Sequence, residues 1–414
     1  MTFRKFLCGF LLILLALSMF FAGWFLAQTI NAEAIIANIT AQATTEATEE
    51  ATTEAAEETT TEATEPEKKP DSISVAIYPY VSNMQLFQKL LTEMWAEMEP
   101  EIALEFIDWN CYSDPYPNNI DVITYDALFM EHLIDSQYIQ PLDIELVDSL
   151  DDVIPFAMEG ARYNDNLYGL PFLVCSSFLI HRADDEAMGQ VQNFAELCKE
   201  LEARKKKDPT DGLQVGYADE VPFFYLDALI DYTETYTTFE EGPNMTPPDE
   251  NVMKRLLEIK ALMAETLEGE DFRASFAQNQ GSACYAYSEA LYDMGDMVDE
   301  LTIRPISFFE GENIQMFYAD LASLCSHVTD PVEKKYCMKL INLIASEEFL
   351  SQLSFASGEV QYMLPAREQV YLNAMEKYPI YKVLHQLATN ENNKIFRFGT
   401  QIFDYKNLAS VALR

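Results

Sequence analysis

Strand and helix patterns alternate along the chain from residue 71 onward, and this alternation limits the possible folds more than any other feature. Three apolar runs predict strands: "SISVAIYPY" at 72–80, "IALEFIDW" at 102–109 and "IDVITYD" at 120–126. Between the first two lies a helical pattern that Ser82 or Asn83 can cap and that Pro100 ends. This β-α-β-α order predicts a parallel sheet whose ligand crevice lies at the carboxyl ends of the strands.

Side chains with polar tips occur at or just beyond these strand ends. They are Tyr78, Tyr80, Tyr112 and Asp126. A tyrosine in a strand is most often a packing residue, and each of these tyrosines taken alone fits that interpretation. Four such residues at successive strand ends favour a shared crevice over coincidence.

The first 34 residues have the pattern of a membrane-directed segment. Arg4 and Lys5 precede an uncharged apolar run from Phe6 to Ala27. A run of about 20 residues spans the ~30 Å hydrocarbon core, whereas a cleavable signal usually has a shorter apolar region. The small-residue stretch "NAEA" at 31–34 fits a cleavage site equally well. We therefore interpret 1–34 as a signal peptide or an N-terminal membrane anchor.

Residues 35–70 are predicted to form a disordered tether rich in Ala, Thr and Glu. From 41 to 70 the chain offers no large apolar side chain to bury, so it cannot offset the entropy of ordering. This tract has nine Glu and two Lys, so most of the net charge of −41 belongs to other residues. An acidic folded part argues against nucleic acid and anionic lipid as partners and is compatible with a small cationic ligand. We expect the folded part to be extracellular, either secreted or anchored to the outer face of the cytoplasmic membrane.

Two later stretches resemble those of extracellular solute-binding proteins of the maltose-binding type. "YNDNLYGLPFLVCSSFLIHRADD" at 163–185 resembles the first crossing between lobes, with one strand running as far as Ile180. "GSACYAYSEALYDMGDM" at 281–297 resembles the strand and helix start that touch the ligand. There Ser288 is expected to cap the helix and to place Glu289 in its first turn.

This resemblance implies an α/β chain with a two-lobed, periplasmic binding protein-like type II fold, mixed central sheets and a ligand cleft between the lobes. The two-lobed domain is expected to cover 71–414. Lobe 1 is expected at about 71–173 and 302–350. Lobe 2 is expected at about 174–301 and 351–414.

The cysteines show no metal-binding pattern, because no CxxC pair or matching histidine spacing occurs. Cys325 and Cys337 are candidates for a disulfide, which the sequence leaves open. Cys175, in the crossing strand, is either a small core residue or a nucleophile, and a nucleophilic thiol needs a nearby base. The four histidines lie beside helix or turn charges or in peripheral segments. Glu289 is the better candidate for the base, because the resemblance to solute-binding proteins implies that its position faces the other wall of the same cleft. These patterns alone do not separate an enzyme from a binding protein.

The chain from Val75 to Gly399 resembles thiaminase I (thiamine pyridinylase), an enzyme family on the type II periplasmic binding-protein fold. The resemblance is carried by "VAIYPYV" at 75–81, "EFIDWNCYS" at 105–113, "DVITYDALF" at 121–129, "FAMEGARYNDNLYGLP" at 156–171 followed by Cys175, "YLDALID" at 225–231, "YSEALYDMGD" at 287–296, "FYADLAS" at 317–323, and "LPAREQVY", "YPIY" and "IFRFG" toward the end. So many matches in one order are far more specific than any single short motif.

The resemblance implies a nucleophilic Cys175 and a catalytic Glu289. It implies a substrate pocket formed by Tyr78, Tyr80, Tyr112, Asp126, Tyr287, Tyr318 and Asp320. One departure is visible before "RAS" at 273–275, where family members can carry a pocket tyrosine and this chain has Asp271 and Phe272.

The implied reaction transfers the pyrimidine-methylene group of thiamine from the thiazole to an amine or thiol through a covalent cysteine intermediate. It requires no metal or organic cofactor. The implied partners are thiamine and a small nucleophilic co-substrate, and the protein is expected to be a monomer. The rival interpretation is a membrane-tethered ABC-transporter solute-binding protein for thiamine or a related cation.

Overall fold

The computed structural model describes residues 68–78, 81–234, 243, 245, 247–310 and 314–413. The predicted membrane-directed segment 1–34 and nearly all of the predicted tether lie outside these residues. In the described part of the chain, no helix is long and apolar enough to cross a membrane.

Short strands make up the two main sheets and one small hairpin. They are β1 Ser72–Ile77, β2 Ala103–Asp108, β3 Val122–Asp126, β4 Arg162–Tyr163, β5 Asn166–Leu167, β6 Leu170–Cys175, β7 Ser177–Arg182, β8 Leu213–Val215, β9 Ala283–Tyr287, β10 Leu301–Arg304, β11 Met316–Leu324, β12 Leu364–Pro365 and β13 Lys394–Ile395. The hairpin β4–β5 turns through Asn164 and Asp165, both at positive φ, a conformation that Asn and Asp tolerate well.

Helices cover the sheets and connect them. They are α1 Met84–Met98, α2 Met130–Asp135, α3 Pro155–Gly160, α4 Glu186–Gln190, α5 Phe194–Lys205, α6 Tyr217–Thr233, α7 Glu250–Ala261, α8 Phe272–Ala277, α9 Ala290–Met294, α10 Pro331–Ile344, α11 Glu347–Ser351, α12 Glu368–Ala374, α13 Ile380–Ala388 and α14 Ile402–Ala412. Helix α1 begins as predicted, because the Asn83 side chain accepts a hydrogen bond from the Leu86 amide.

The first sheet has the order β12-β6-β11-β3-β1-β2, and β13 pairs with β11. Strand β1 runs parallel to β2 and β3, which confirms the parallel β-α-β arrangement predicted from the sequence. Strand β11 runs antiparallel between β3 and β6, so the sheet is mixed. All nine residues of β11 are buried, as expected for a central strand covered on both faces.

The second sheet has the order β10-β7-β9-β8. The chain passes from the first sheet to the second within one residue, because β6 ends at Cys175 and β7 begins at Ser177. The expected single strand from the Gly-x-Pro turn to Ile180 is therefore two strands in different sheets. Ser176, between them, donates its hydroxyl to the Met316 carbonyl oxygen at 2.6 Å, which ties this crossing to the start of β11.

Strand pairing differs from the lobe boundaries expected from the sequence. Leu301–Arg304 pairs with β7 in the second sheet, although most of it was assigned to lobe 1. The strands β12 and β13 pair with β6 and β11 of the first sheet, although 351–414 was assigned to lobe 2. The C-terminal helix α14 returns to the second lobe, where the Tyr405 hydroxyl donates to the Pro222 carbonyl oxygen in α6 at 2.6 Å. The sheet to which a short strand belongs depends on the strands with which it pairs, and no local sequence pattern shows which strands these are.

Candidate active site

The strand register of the first sheet brings four predicted site residues together. Tyr318 of β11 lies opposite Cys175 of β6, and Asp320 lies opposite Asp126 of β3. Because side chains alternate along a strand, Tyr318 and Asp320 project from the same face of β11. The cysteine, the tyrosine and the two carboxylates therefore lie on one face of the sheet formed by β6, β11 and β3.

The two carboxylates are almost fully buried, and a tyrosine hydroxyl donates to each. Tyr78 donates to Asp320 Oδ1, and Tyr112 donates to Asp126 Oδ2 at 2.5 Å. Burial raises the pKa of Asp126 to about 6. Burial and the nearby charge of Asp126 raise the pKa of Asp320 well above its usual range. Both carboxyl groups therefore take up a proton more readily than exposed aspartates, and a proton on either one relieves the repulsion between them.

Glu289 reaches the same region from the second sheet. Tyr287, the last residue of β9, pairs with Ser177, and Glu289 follows two residues later. The charge of Glu289 contributes to the raised pKa of Asp320, so the two carboxyl groups share one electrostatic environment. Burial raises the pKa of Glu289 to about 7, against the opposing effects of its own backbone amide, the Ser288 hydroxyl and Arg273. A carboxyl group that titrates near neutrality is suited to exchange protons with a substrate or a thiol.

The predicted role of Ser288 as helix cap is wrong. Helix α9 begins at Ala290, and Glu289 occupies the cap position without a capping side-chain hydrogen bond. The buried Ser288 hydroxyl instead donates to Glu289 Oε2 at 3.2 Å, because the carboxylate is a stronger acceptor within reach. Glu289 therefore precedes the first turn of the helix, where the partial positive charge of the helix N-terminus also favours a carboxylate.

Among the cysteines of the described residues, Cys175 alone is half-buried and the others are buried, and none of them, including Cys325 and Cys337, forms a disulfide. The charge of Cys175 contributes to the raised pKa values of Tyr78 and Tyr318, so the thiol lies in the same electrostatic environment as both hydroxyls. Cys111 is buried, and burial raises the pKa of its thiol well above the ordinary value. A buried, protonated thiol is a poor nucleophile, which favours Cys175.

Aromatic rings form the wall around Tyr318. Its ring stacks on Phe396 with centroids 5.2 Å apart and meets the edge of Phe223 at 6.2 Å. Tyr287 is half-buried at the end of β9, and its charge contributes to the raised pKa of Tyr318. These planes suit the binding of a flat aromatic ligand or a delocalised cation.

The structure thus groups Tyr78, Tyr112, Asp126, Cys175, Tyr287, Glu289, Tyr318 and Asp320, and Tyr80 lies outside the described residues. The histidines are engaged elsewhere. His327 pairs with Asp121 at 3.1 Å and His385 with Glu368 at 2.9 Å, whereas Nδ1 of His132 and Nδ1 of His181 each contact a backbone carbonyl oxygen. Asp271, at the departure from the family pattern, caps α8 and pairs with Arg273.

Sequence reasoning did not single out three neighbours of this site. Asp227 of α6 accepts a hydrogen bond from the Tyr318 hydroxyl at 3.5 Å, and Phe396 stacks on that ring. Lys406 of α14 donates to the Tyr112 carbonyl oxygen, and its ammonium lies 5.1 Å from the Tyr112 ring centroid. Asp227 and Phe396 fall in the matching stretches "YLDALID" and "IFRFG", so a signal for them existed. Lys406 has no such signal.

Comparison with known proteins gives a consistent picture, although no family model matches the chain. Thiaminase-1 of Paenibacillus thiaminolyticus is 36% identical over 348 residues, which cover 80% of this chain and 84% of that protein. The structure of thiaminase I from Bacillus thiaminolyticus superposes with a TM-score of 0.76 at 34% identity, covering 83% of this chain and 100% of that one.

Two further structures bear on the fold. Clostridium botulinum thiaminase I in complex with thiamin gives a TM-score of 0.76 at 29% identity, covering 82% of this chain and 98% of that one. A Thermus thermophilus maltotriose binding protein gives 0.60 at 12% identity, covering 83% and 94%. The second likeness concerns the fold alone. Together they confirm the predicted α/β type II binding-protein fold.

Proposed function

This chain belongs to the thiaminase I family, and we propose that it cleaves thiamine by a two-step transfer through Cys175 with Glu289 as the general base. The family resemblance inferred from the sequence motifs is confirmed, and with it the assignment as a thiamine-cleaving transferase. The observation that supports the residue-level proposal is strand pairing: the half-buried Cys175 ends β6 just before Ser177, which pairs with Tyr287, and Glu289, with a pKa of about 7, follows two residues later.

Thiamine is a cation, and the crevice has the groups that such a ligand needs. The tyrosines around Cys175 offer ring faces to the aminopyrimidine and to the positive thiazolium. Asp126 and Asp320 offer buried carboxyl groups that accept hydrogen bonds from the exocyclic amine or balance the charge of the ligand. Thiamine binding is also what the Clostridium botulinum relative displays in its complex.

In the first step Glu289 accepts the proton of the Cys175 thiol, and the thiolate adds to an electron-poor carbon of the pyrimidine. The bond between the methylene carbon and the thiazolium nitrogen then breaks. Its electron pair returns to the nitrogen, so the thiazole leaves as a neutral molecule. The pyrimidine-methylene group remains on the sulfur, and the proton remains on Glu289.

In the second step an amine or thiol attacks the methylene carbon, and Cys175 is expelled as a thiolate. Glu289 returns its proton to that sulfur and then accepts the N–H or S–H proton of the incoming group. The same carboxyl group therefore serves as acid and base, for which a pKa near the working pH is well suited.

The decisive experiment supplies the full-length protein with thiamine and a second nucleophile such as aniline or pyridine. We expect thiamine to disappear and free thiazole to accumulate in proportion to the protein and to the nucleophile. Tight thiamine binding without thiazole release would instead favour a solute-binding protein on the same fold. The assay therefore separates the two functions that the fold alone permits.

We also propose that the enzyme works outside the cytoplasmic membrane as a monomer, on a spacer that follows its N-terminal segment. The supporting features are the basic start, the apolar run from Phe6 to Ala27 and the acidic Ala/Thr/Glu tract up to residue 70. We propose a small amine or thiol as the co-substrate, because the proposed second step needs a neutral nucleophile that fits beside Cys175.

A further inference from the structure

Three fully buried residues carry polar side-chain atoms without a protein partner. They are Ser354, Gln361 and Tyr371, here called the rear cluster, and each is 0% exposed. The Ser354 Oγ, both amide atoms of Gln361 and the Tyr371 hydroxyl have no hydrogen-bond partner among the described residues. Buried polar atoms are normally satisfied, and ordered water is the usual partner when protein is not. We therefore expect ordered water to satisfy these four atoms.

Contacts place the rear cluster in one region. The Gln361 amide nitrogen donates to the Ser354 carbonyl oxygen at 2.8 Å, and the Tyr381 hydroxyl donates to the same oxygen at 3.3 Å. The rings of Tyr371 and Tyr381 lie 6.3 Å apart. Ser354 belongs to a π-helical turn, Gln352–Ala356, and such turns occur frequently at functional sites.

Chain contacts place the rear cluster near the active site. Strand β12, just after Gln361, pairs with Val174 beside Cys175, and the Tyr292 hydroxyl of α9, the helix that Glu289 precedes, donates to Glu359 Oε2 at 3.3 Å. The charge of Glu289 contributes to the raised pKa values of both Tyr371 and Tyr381. On another side, the His385 ring lies 5.7 Å from the Tyr371 ring. His385 Nε2 is 2.9 Å from Glu368 Oε1, and the Glu368 side chain is 50% exposed.

The proposed reaction creates a need for proton release that depends on the acceptor. Thiamine is a cation, so transfer to aniline gives two neutral products and one proton. Glu289 holds that proton at the end of the turnover and must lose it. Transfer to pyridine gives a pyridinium product, which keeps the positive charge, so the Cys175 proton only moves to Glu289 and back.

We propose that water bound by the rear cluster carries the proton from Glu289 toward His385 and Glu368 while the cleft is occupied. This inference rests on the proposed function. It gives Tyr371, Gln361 and Ser354 a role in positioning water rather than in contacting substrate.

The test uses Tyr371→Phe, which removes the hydroxyl and keeps the ring. The matched control is Tyr225→Phe, because Tyr225 is also buried and its hydroxyl accepts from the Asp249 amide at 2.7 Å, within the second lobe. Three rates are measured for each full-length protein: thiazole release from thiamine alone in a single turnover, steady-state turnover with aniline, and steady-state turnover with pyridine. Thermal unfolding of each variant monitors the fold.

We expect Tyr371→Phe to lower kcat with aniline about tenfold, the effect of one lost hydrogen bond to a transferring water. Thiazole release in the single turnover and turnover with pyridine should stay near wild type, and Tyr225→Phe should show no dependence on the acceptor. Ser354→Ala should repeat the pattern of Tyr371→Phe. Equal slowing of all three rates, or no change in any, would overturn the proton route. A wild-type protein that releases no thiazole would instead refute the proposed function on which the route depends.

Discussion

Replacing Glu289 by Gln keeps the size of the side chain and removes its proton-accepting group. With a pKa of about 7, the wild-type carboxyl group is half ionised at pH 7, about one tenth ionised at pH 6 and about one hundredth at pH 5. The first half-reaction needs the ionised form, so its rate should fall about tenfold for each pH unit below 7. The Gln variant should be slower by roughly 10²- to 10⁴-fold near neutral pH, the usual range for a positioned acid or base.

The shape of the pH profile separates this role from a structural one. Glu289 faces the Ser288 hydroxyl, Arg273, Asp320, Tyr371 and Tyr381, so other groups could also titrate in its surroundings. At saturating thiamine, the acid limb of the wild-type profile should disappear in the Gln variant. Loss of packing alone would lower the rate at every pH by the same factor and leave the limb in place.

The assay is rapid-quench measurement of thiazole release from thiamine alone between about pH 5 and pH 8, followed by the intact mass of the protein. Initial rates over a grid of thiamine and aniline should give the parallel lines of a ping-pong reaction. Glu93→Gln, an exposed glutamate on α1, is the control and should behave as wild type. Intersecting lines, together with no pyrimidine-sized mass increase on Cys175, would refute the covalent route through this pair.

The remaining predictions concern the nucleophile, the stability and the location. Cys175→Ser should lose nearly all turnover and still bind thiamine in a calorimetric titration, because a hydroxyl is far less acidic than a thiol. Cys111→Ser should keep most activity, and the reverse ranking would contradict the assignment of Cys175 as the nucleophile. Glu289→Gln should raise the free energy of unfolding by up to about 3 kcal/mol above pH 7. The wild-type carboxyl group has a pKa near 4.5 in the unfolded chain and near 7 in the folded protein, so the wild-type protein loses stability as the pH rises between those values. Urea unfolding at about pH 4 and pH 8 checks this, and an equal gain at both pH values contradicts it. External protease should digest the catalytic domain on intact cells if it is anchored, and a domain protected in the cytoplasm would contradict the proposed location.

The outline of the fold and most of the site could be predicted from the sequence because their signals are local. The strand around Val75 and the helix capped by Asn83 follow from patterns within a few residues. Strand ends also carry Tyr78 and Asp126, so a crevice could be expected wherever parallel strands finish together. The family resemblance then supplied roles for Cys175 and Glu289 that no spacing rule contains.

The break at Ser176 could not be predicted, because the residues on both sides of it favour strand. Strand β6 ends there because the residues up to Cys175 pair in the first sheet and those from Ser177 onward pair in the second, and Ser176 between them hydrogen-bonds to the start of β11. The sheet membership of β12 and β13 depends in the same way on pairing partners up to about 200 residues distant in sequence. Local strand propensity contains no information about such distant partners.

Sequence by itself determined which side chains were available for chemistry: a thiol in a crossing strand, a glutamate after a strand, and tyrosines and aspartates at strand ends. Only the tertiary structure decided their protonation. Asp126, Asp320 and Glu289 would all be ionised at neutral pH in an unfolded chain, and their pKa values rise because the fold removes them from water and sets them near one another. The polar atoms of the rear cluster likewise became a group only when segments around Ser354 and Tyr371 packed against each other, since burial and proximity are properties of the folded state.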